Sequence, residues 1–201
     1  LHLSLRRQRQ MCIRDSLSSY LQTKADFTVS DLKTVEEKCS YISLKAGEKL
    51  LSAGSIWNNH AFVCKGLARG YQPDLMGDDQ TVLFAPENYW TGDRESLLTG
   101  EPSLMNIVAE TDCDIILINH EDYNNLCISL PAFSEFMSVL VQRNLESRQS
   151  QIISHVFSDE EKVENFIQKY PSVIERTEKG HIASFLSMDI NTLKSILIRL
   201  S

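Results

Sequence analysis

One stretch of the sequence combines the residue types that hold a small charged ligand. It covers positions 90–110 and reads WTGDRESLLTGEPSLMNIVAE. A glycine and an acid, Gly92 and Asp93, come near its start, a short loop follows, and an apolar strand closes it. An anion-binding cassette of this form needs a cation, because charge-assisted hydrogen bonds from an arginine fork hold the anion. This stretch, hereafter the cassette, has Ser103 and Leu104 where that arginine is expected.

The other reactive residue types form no catalytic or metal-binding motif. The five cysteines are widely spaced with no C-x-x-C pair, and the five histidines are scattered with no HxH or HExxH. Such cysteine usage indicates reduced thiols in a cytoplasm and argues against a disulfide scaffold or a zinc site. A cupin-like enzyme needs clustered histidine and carboxylate ligands. We therefore predict a cytoplasmic protein that is not an enzyme and has no catalytic residue, metal or cofactor.

Charge is distributed unevenly along the 201 residues, whose formal net charge is −7. Residues 1–16 include four arginines and one aspartate and lack apolar periodicity. The peptide MCIRDS in this segment resembles the translated end of a sequencing adapter, so we interpret 1–16 as a non-native assembly scar. The alternative is a basic DNA-contacting arm or a targeting peptide. Residues 158–201 include six basic and seven acidic residues, so they do not form the basic patch of a strong nucleic-acid binder.

The cassette lies in a region of short strands that follows one amphipathic helix. FTVSDLKTVEEKC (27–39) predicts a helix in which Thr28 and Asp31 form a capping box. From about residue 40 to residue 120, alternating apolar segments are separated by Gly, Pro, Asn and Asp. Many short strands at this spacing predict a sandwich or a jelly roll. The segment 121–130 returns to a helical pattern.

The longest helical pattern follows Pro131. Apolar residues recur there at three-and-four spacing over 132–157, which predicts a single long helix. A helix of this length on a small domain needs a partner along its apolar stripe. We predict that it forms a homodimer seam, and the alternative is that it packs only on its own domain. The seam residues that we expect are Phe136, Leu140, Val141, Leu145 and Ile152.

The C-terminal residues form a separate helical unit. Ser158 and Glu161 make a capping box, and the helix that they begin ends at Tyr170, before a proline. Two short helical segments follow, KGHIASFLS and NTLKSILIRL, joined by MDI. Their apolar residues would pack the pair across a tight turn, which is the spacing of a helix-turn-helix. An ordinary helical hairpin fits the pattern nearly as well.

The order of these elements and several local residues resemble the Crp/Fnr family of transcription regulators. The resemblance covers residues 17–201 and includes Gly47, Gly54 and Gly66 at turns, the ENYWTGD approach to the cassette, and HIASFLSMDINTLKSILIRL without a gap. It implies an α+β fold with an N-terminal double-stranded β-roll (jelly roll), flanking helices, a long dimerisation helix and a C-terminal winged helix-turn-helix whose wing is missing or truncated. The implied domains are a sensor at 17–130, a dimerisation helix at 131–157 and a DNA-binding domain at 158–201.

The resemblance also implies a homodimer that binds an effector in the β-roll and recognises two half-sites of double-stranded DNA. In family members that bind cyclic nucleotides, a cassette glutamate takes the ribose hydroxyl and an arginine holds the cyclic phosphate. Here Gly92 keeps the frame, Asp93 stands at the acid, and Ser103 and then Leu104 stand at the arginine. We therefore predict that neither cAMP nor cGMP binds, and that the pocket takes a less anionic effector or none.

The second short helix would be the one that enters the major groove. Asn191 can make a bidentate bond to adenine, and Thr192 and Lys194 can reach phosphates or a base edge. Few cations on this helix predict weak non-specific binding and a shallow salt dependence. Ser187 replaces the usual turn glycine, which is tolerable at negative φ or with modest strain. The alternative is a sensor or interaction module that keeps the β-roll and does not bind DNA. The DNA-contacting residues that we expect are Ile190, Asn191, Thr192, Lys194 and Ser195.

Overall fold

The computed structural model describes residues 16–74, 77–153 and 156–200, apart from the side chains of 143, 144 and 146–153. The helices are α1 (16–22), α2 (Val29–Glu37), α3 (Arg94–Thr99), α4 (His120–Ser129), α5 (Pro131–Ile153), α6 (Asp159–Lys169), α7 (Lys179–Leu186) and α8 (Ile190–Leu200). The strands are β1 (Cys39–Leu44), β2 (Lys49–Leu51), β3 (Asn59–Lys65), β4 (Ala68–Pro73), β5 (Asp79–Ala85), β6 (Trp90–Thr91), β7 (Asn106–Ala109) and β8 (Cys113–Asn119). The predicted scar lies outside the described residues except for Ser16, which is helical in α1.

Two antiparallel four-stranded sheets face one another across an apolar core, in the orders β1-β8-β3-β6 and β2-β7-β4-β5. Successive residues of a strand point to opposite faces. In β8, Cys113 and Ile115 therefore enter the core between the sheets, whereas Ile116 and Ile118 pack on the outer face. This arrangement confirms the predicted α+β class and the jelly roll.

Helices α1, α2, α4 and α5 cover the outer face of the first sheet. Phe133 and Phe136 of α5 pack there with Phe27 and with Phe62 of β3. Burying each such side chain contributes roughly 1.5–3 kcal/mol. The predicted capping box of α2 is confirmed. The long helix is confirmed from Pro131, but its predicted end at Phe157 is wrong, because 156 and 157 are not α-helical.

Helices α6, α7 and α8 form a unit, hereafter the helical unit, that packs on the outer face of the second sheet. Phe84 of β5 and the neighbouring Leu67 share one core with Phe166, Ile182 and Leu193 of the three helices. The predicted capping box at the start of α6 is confirmed. The helical unit is therefore joined to the β-roll through a continuous apolar core.

Among the described residues, no single helix is long and apolar enough to cross a membrane. Helix α4 and the first part of α5, which meet at a bend of 116°, have that length and composition only as a pair. The four cysteines that the structure describes, at 39, 64, 113 and 127, form no disulfide with one another.

Candidate functional site

The front of the cassette is built around the contact between Gly92 and Trp57. Gly92 has φ +140, a conformation that side chains with a Cβ rarely adopt. A Cβ at this position would lie 2.4 Å from Nε1 of Trp57. Trp57 is itself buried in the core between the sheets. The glycine is therefore required because the indole packs directly against the backbone of the cassette.

Asp93 caps the short helix of the cassette. Its side chain is buried, and its Oδ1 accepts hydrogen bonds from the backbone N–H groups of Glu95 at 2.9 Å and Ser96 at 3.3 Å. A carboxylate at this position satisfies two of the unpaired N–H groups at the start of α3. The acid that we expected on a sugar hydroxyl therefore has a structural partner for one of its two oxygens.

A buried serine that the sequence analysis missed ties the cassette to the preceding loop. The Oγ of Ser96 accepts from the backbone N–H of Trp57 at 2.9 Å and donates to the carbonyl of Glu101 at 2.6 Å. Gly100 ends α3 in the left-handed region at φ +73. These bonds fold the segment 93–101 into a short capped helix that is closed on itself.

Ser103 and Leu104, at the expected arginine positions, point in different directions. Ser103 is 2% exposed, and its hydroxyl is hydrogen-bonded to both the N–H and the carbonyl of Met105. Its backbone accepts from Gly54 and donates to Ser55. Leu104 is 75% exposed. Gly92 thus packs against Trp57, and Asp93 and Ser103 each form hydrogen bonds within their own segments, whereas Leu104 is exposed.

Arg94 is the cation of the cassette, and its charge acts on a group formed by two histidines and a tyrosine. His60 lies flat on Tyr123, with ring centroids 3.5 Å apart, and its Nε2 is 3.1 Å from Nδ1 of His120. Burial, His120 and Arg94 together lower the pKa of His60 to about 4. Arg94 is exposed and directly follows Asp93, the residue that caps α3. Within the described residues, no group of three or more His, Cys, Asp or Glu side chains could hold a metal.

We expect the neutral state of His60 to make the protein lose stability as the pH falls from 6.5 toward 4. In that range the unfolded chain binds a proton at this histidine and the folded chain does not, so protonation favours unfolding. Denaturant unfolding at several pH values, with NMR titration of the imidazole, measures the effect. His60→Phe keeps the ring stack on Tyr123 and should flatten the pH dependence. A titration midpoint near 6.5 for His60 would contradict the expectation.

The helix pair has a three-residue turn between α7 and α8. Ser187 lies in the left-handed region at φ +53 and not at the negative φ that would be free of strain. The left-handed conformation costs a serine roughly 1 kcal/mol or more. The Oδ1 of Asp189 accepts from the N–H groups of Asn191 at 2.8 Å and Thr192 at 3.3 Å, which caps α8. The turn is thus stabilised at its C-terminal end although its serine is strained.

The predicted DNA-contacting residues divide into two groups on α8. Asn191, Lys194 and Ser195 are exposed, and Thr192 is half-buried. Ile190 packs against the core of the helical unit, so it is less available to a base than we expected. An open groove of about 450 Å³ lies between this face and the start of α6. It is lined by Ser158, Asp159, Glu160, Asn191, Thr192, Ser195, Ile196 and Arg199.

The predicted seam residues of α5 are not equally available to a partner. Phe136 is only 2% exposed, because it packs into the core of its own chain, and it has no surface to offer a second copy. Leu140 and Val141 are half-buried, and Leu145 is 55% exposed. The side chain of Ile152 lies outside the described residues. Among the described seam residues, exposure therefore increases from Phe136 to Leu145.

Comparisons with known proteins agree with this architecture. Residues 41–129 match the family model of the cyclic nucleotide-binding domain. No curated protein matches the chain by sequence.

Several solved structures share the fold. FixK2 from Bradyrhizobium japonicum has a TM-score of 0.67 at 14% identity, over 81% of this chain and 84% of that one. The c-di-GMP-responsive global regulator CLP from Xanthomonas campestris has a TM-score of 0.67 at 9% identity, over 86% and 91%. The catabolite activator protein of Thermus thermophilus has a TM-score of 0.56 at 17% identity, over 87% and 84%. At identities this low, the structural similarity establishes a common fold and nothing about function.

Proposed function

We propose that this chain is a DNA-binding transcription regulator of the Crp/Fnr type that acts as a homodimer. In this proposal, 17–130 is the sensor, 131–157 the dimerisation helix and 158–201 the helix-turn-helix domain. The observation that supports it most is the presentation of Asn191, Lys194 and Ser195 on one exposed side of a capped helix. Leu193 and Ile196 anchor the opposite side of that helix in the core.

Base recognition would rest on Asn191, whose amide can donate to N7 and accept from the N6 amino group of an adenine in the major groove. Lys194 would contact a phosphate, which positions the helix without reading sequence. Asp159 and Glu160 line the other wall of the groove beside α8 and would repel nearby phosphates. Affinity should therefore depend on few phosphate contacts and more strongly on the adenine contact.

Dimerisation would use the exposed part of α5. Val139 is exposed and Leu145 more so, and both lie on the segment that the resemblance assigns to the seam. Two copies of α8 would then face two half-sites about one turn of DNA apart.

We expect the full chain to select duplexes with two adenine-containing half-sites from a random library at low salt. Asn191→Ala should lower the affinity about 10- to 100-fold for each half-site, because each copy of the chain loses one bidentate base contact. Lys194→Gln should weaken binding to all duplexes and reduce the slope of log affinity against log salt by about one for each half-site. Fluorescence anisotropy with labelled duplexes measures both effects. Lys38→Gln removes a similar charge from the residue that follows α2, outside the helical unit, and should change neither.

Failure to enrich any duplex at micromolar protein would reject DNA binding. It would favour the second candidate, a sensor or interaction module that keeps the β-roll. The acidic wall formed by Asp159 and Glu160 is the observation that favours this alternative.

The effector of the proposed regulator would be less anionic than a cyclic nucleotide. One oxygen of Asp93 is used in capping α3, and the Ser103 hydroxyl is used within its own loop. We expect no binding of cAMP in a calorimetric titration below about 1 mM, since loss of a charged anchor in a partly buried site costs several kcal/mol. Adenosine, which lacks the phosphate, is titrated in parallel. Binding of adenosine without binding of cAMP would show that only the phosphate contact is lost. A micromolar dissociation constant for cAMP would overturn the expectation.

A further inference from the structure

The helical unit is joined to the β-roll by polar contacts that converge on two carboxylates. Both carboxylates, Glu87 and Glu110, belong to the β-roll, and each binds one residue of the segment just before α7, Arg176 and Thr177 respectively. Glu110 ends the cassette, directly after strand β7. The cassette is therefore covalently continuous with one of the two contact points.

Glu110 binds the two parts of the molecule with different oxygens. Its Oε1 accepts from Nε of Arg69 on β4 at 2.6 Å, and its Oε2 accepts from the hydroxyl of Thr177 at 2.6 Å. Nδ1 of His181, in the first turn of α7, lies 3.3 Å from the same Oε2. The side chains of Arg69 and Glu110 are 6% and 10% exposed. The geometry of Glu110 is thus set by the sheet, and its second oxygen faces the helical unit.

Glu87 makes the second contact through a bidentate pair. Its two oxygens accept from Nη1 and Nη2 of Arg176, each at 2.8 Å. Oε1 also accepts from the backbone N–H of Gly66 at 2.8 Å. Fork-to-fork pairs of this kind add geometric specificity as well as energy. Arg176 and Thr177 are adjacent, so the two contacts together restrain one short segment.

The edge of the second sheet makes a third contact with the helical unit, and the state of this contact can be measured. Strand β5 lies at that edge, and the N–H of Thr81 donates to Oγ of Ser184 on α7 at 2.9 Å. The side chain of Gln80 donates to the carbonyl of Ser184. The Thr81 amide is consequently shielded by the helical unit, and it loses this hydrogen bond when the unit moves away.

We propose that Glu87, Glu110, Arg176 and Thr177, hereafter the latch, hold the helix pair in one orientation against the β-roll, and that β7 links the cassette to this latch. Strand β7 runs between β2 and β4 from the Ser103 loop to Glu110. A change of the cassette that displaces β7 moves the carboxylate that positions the start of α7. The latch has two states, docked and released, which is what coupling between distant sites requires. A role of the latch in regulation rests on the proposed function, whereas the docking of the helical unit by the latch does not.

Hydrogen exchange of the Thr81 amide in the full chain tests the latch without any DNA. Arg176→Gln combined with Thr177→Val removes the two latch donors on the helical unit and leaves the Arg69–Glu110 pair intact. We expect exchange at Thr81 to accelerate about tenfold to a hundredfold, because a charge-assisted pair and a further hydrogen bond are lost. Amides of the central strand β8 should change far less. Lys162→Gln, which removes a charge paired with Asp159 inside α6, is the matched control.

Each outcome decides the proposal. Selective acceleration at Thr81 supports the latch, even if the selection experiment finds no DNA site. Unchanged exchange at Thr81 overturns it, because the latch contacts would then contribute nothing to docking. Equal acceleration of the Thr81 and β8 amides also overturns it, because the contacts would then contribute only to global stability. If DNA is bound, a fixed docking orientation favours one half-site spacing in the wild type, and the double variant should bind half-sites at different spacings with about equal affinity. Retention of a single preferred spacing in the double variant would overturn the positioning role.

Discussion

Glu110→Ala is expected to lower the free energy of unfolding by about 3–5 kcal/mol, because it leaves a buried guanidinium without its carboxylate. Arg69 is 6% exposed, and its pairing with Glu110 at 2.6 Å is the direct compensation for its charge. Burial alone raises the pKa of Glu110, but hydrogen bonds from Arg69 and Thr177 outweigh it and hold the pKa below its ordinary value. The carboxylate is therefore ionised at neutral pH, and the variant removes a charge. Denaturant unfolding followed by circular dichroism measures the loss.

An exposed pair with the same separation is the control for this loss. Lys45 and Asp112 also approach to 2.6 Å, but their side chains are 74% and 49% exposed. Lys45→Gln should therefore cost less than about 1 kcal/mol. The double variant Arg69→Met with Glu110→Gln removes both charges and keeps an acceptor for Thr177, so it should recover much of the stability. Equal costs for Glu110→Ala and Lys45→Gln would show that burial of the pair has no energetic consequence.

The features that were predictable from the sequence are local ones. Thr28 with Asp31, and Ser158 with Glu161, form capping boxes within four residues of chain, so their geometry follows from the helix start itself. The alternation of β8 likewise follows from the pleat and needs no knowledge of partners. These short-range rules predict the short strands and the helix pair, whereas the choice of a jelly roll over a sandwich came from the resemblance.

Residues that meet through the sheet were not predictable. His60 and His120 were regarded as scattered, yet β3 and β8 pair antiparallel and bring their ring nitrogens to 3.1 Å. Glu110 and Thr177 are separated by 67 positions, and no local pattern indicates their contact. Phe136 belongs to the helical stripe that we assigned to a seam, but the β-roll beside it buries that part of the stripe. Periodicity identifies an apolar face and does not identify what covers it.

Asp93 is an intermediate case, because a local signal for helix capping was present in the sequence and was not used. An aspartate followed at two and three positions by backbone N–H groups of a short helix is a common cap. The resemblance to a ligand cassette favoured a ligand role, whereas the structure shows the capping role. Capping occupies Oδ1 of Asp93, so a ligand role would fall to its second oxygen.

Gly92→Ala is expected to destabilise the protein by about 2–5 kcal/mol, because backbone strain and overpacking act together. The backbone φ of +140 is unfavourable for alanine, and the added Cβ would lie 2.4 Å from Nε1 of the buried Trp57. Gly100→Ala separates the two causes, since Gly100 has φ +73 but open space around its Cβ position. That variant should cost only about 1 kcal/mol, the strain of a left-handed residue.

A second substitution tests the steric part of this prediction directly. In a Trp57→Phe background the indole nitrogen is absent, so adding the Gly92→Ala change should cost at least about 1 kcal/mol less than it does in the wild type, a coupling of the size seen between residues in contact. Chemical denaturation of the four members of the cycle gives this coupling. If Gly92→Ala costs no more than Gly100→Ala in either background, the indole does not constrain the cassette, and the close packing of Trp57 is not the reason for the glycine. If the coupling is found, Trp57 fixes the backbone at the point where the cassette begins, and any effector that enters there must displace the indole or bind outside it.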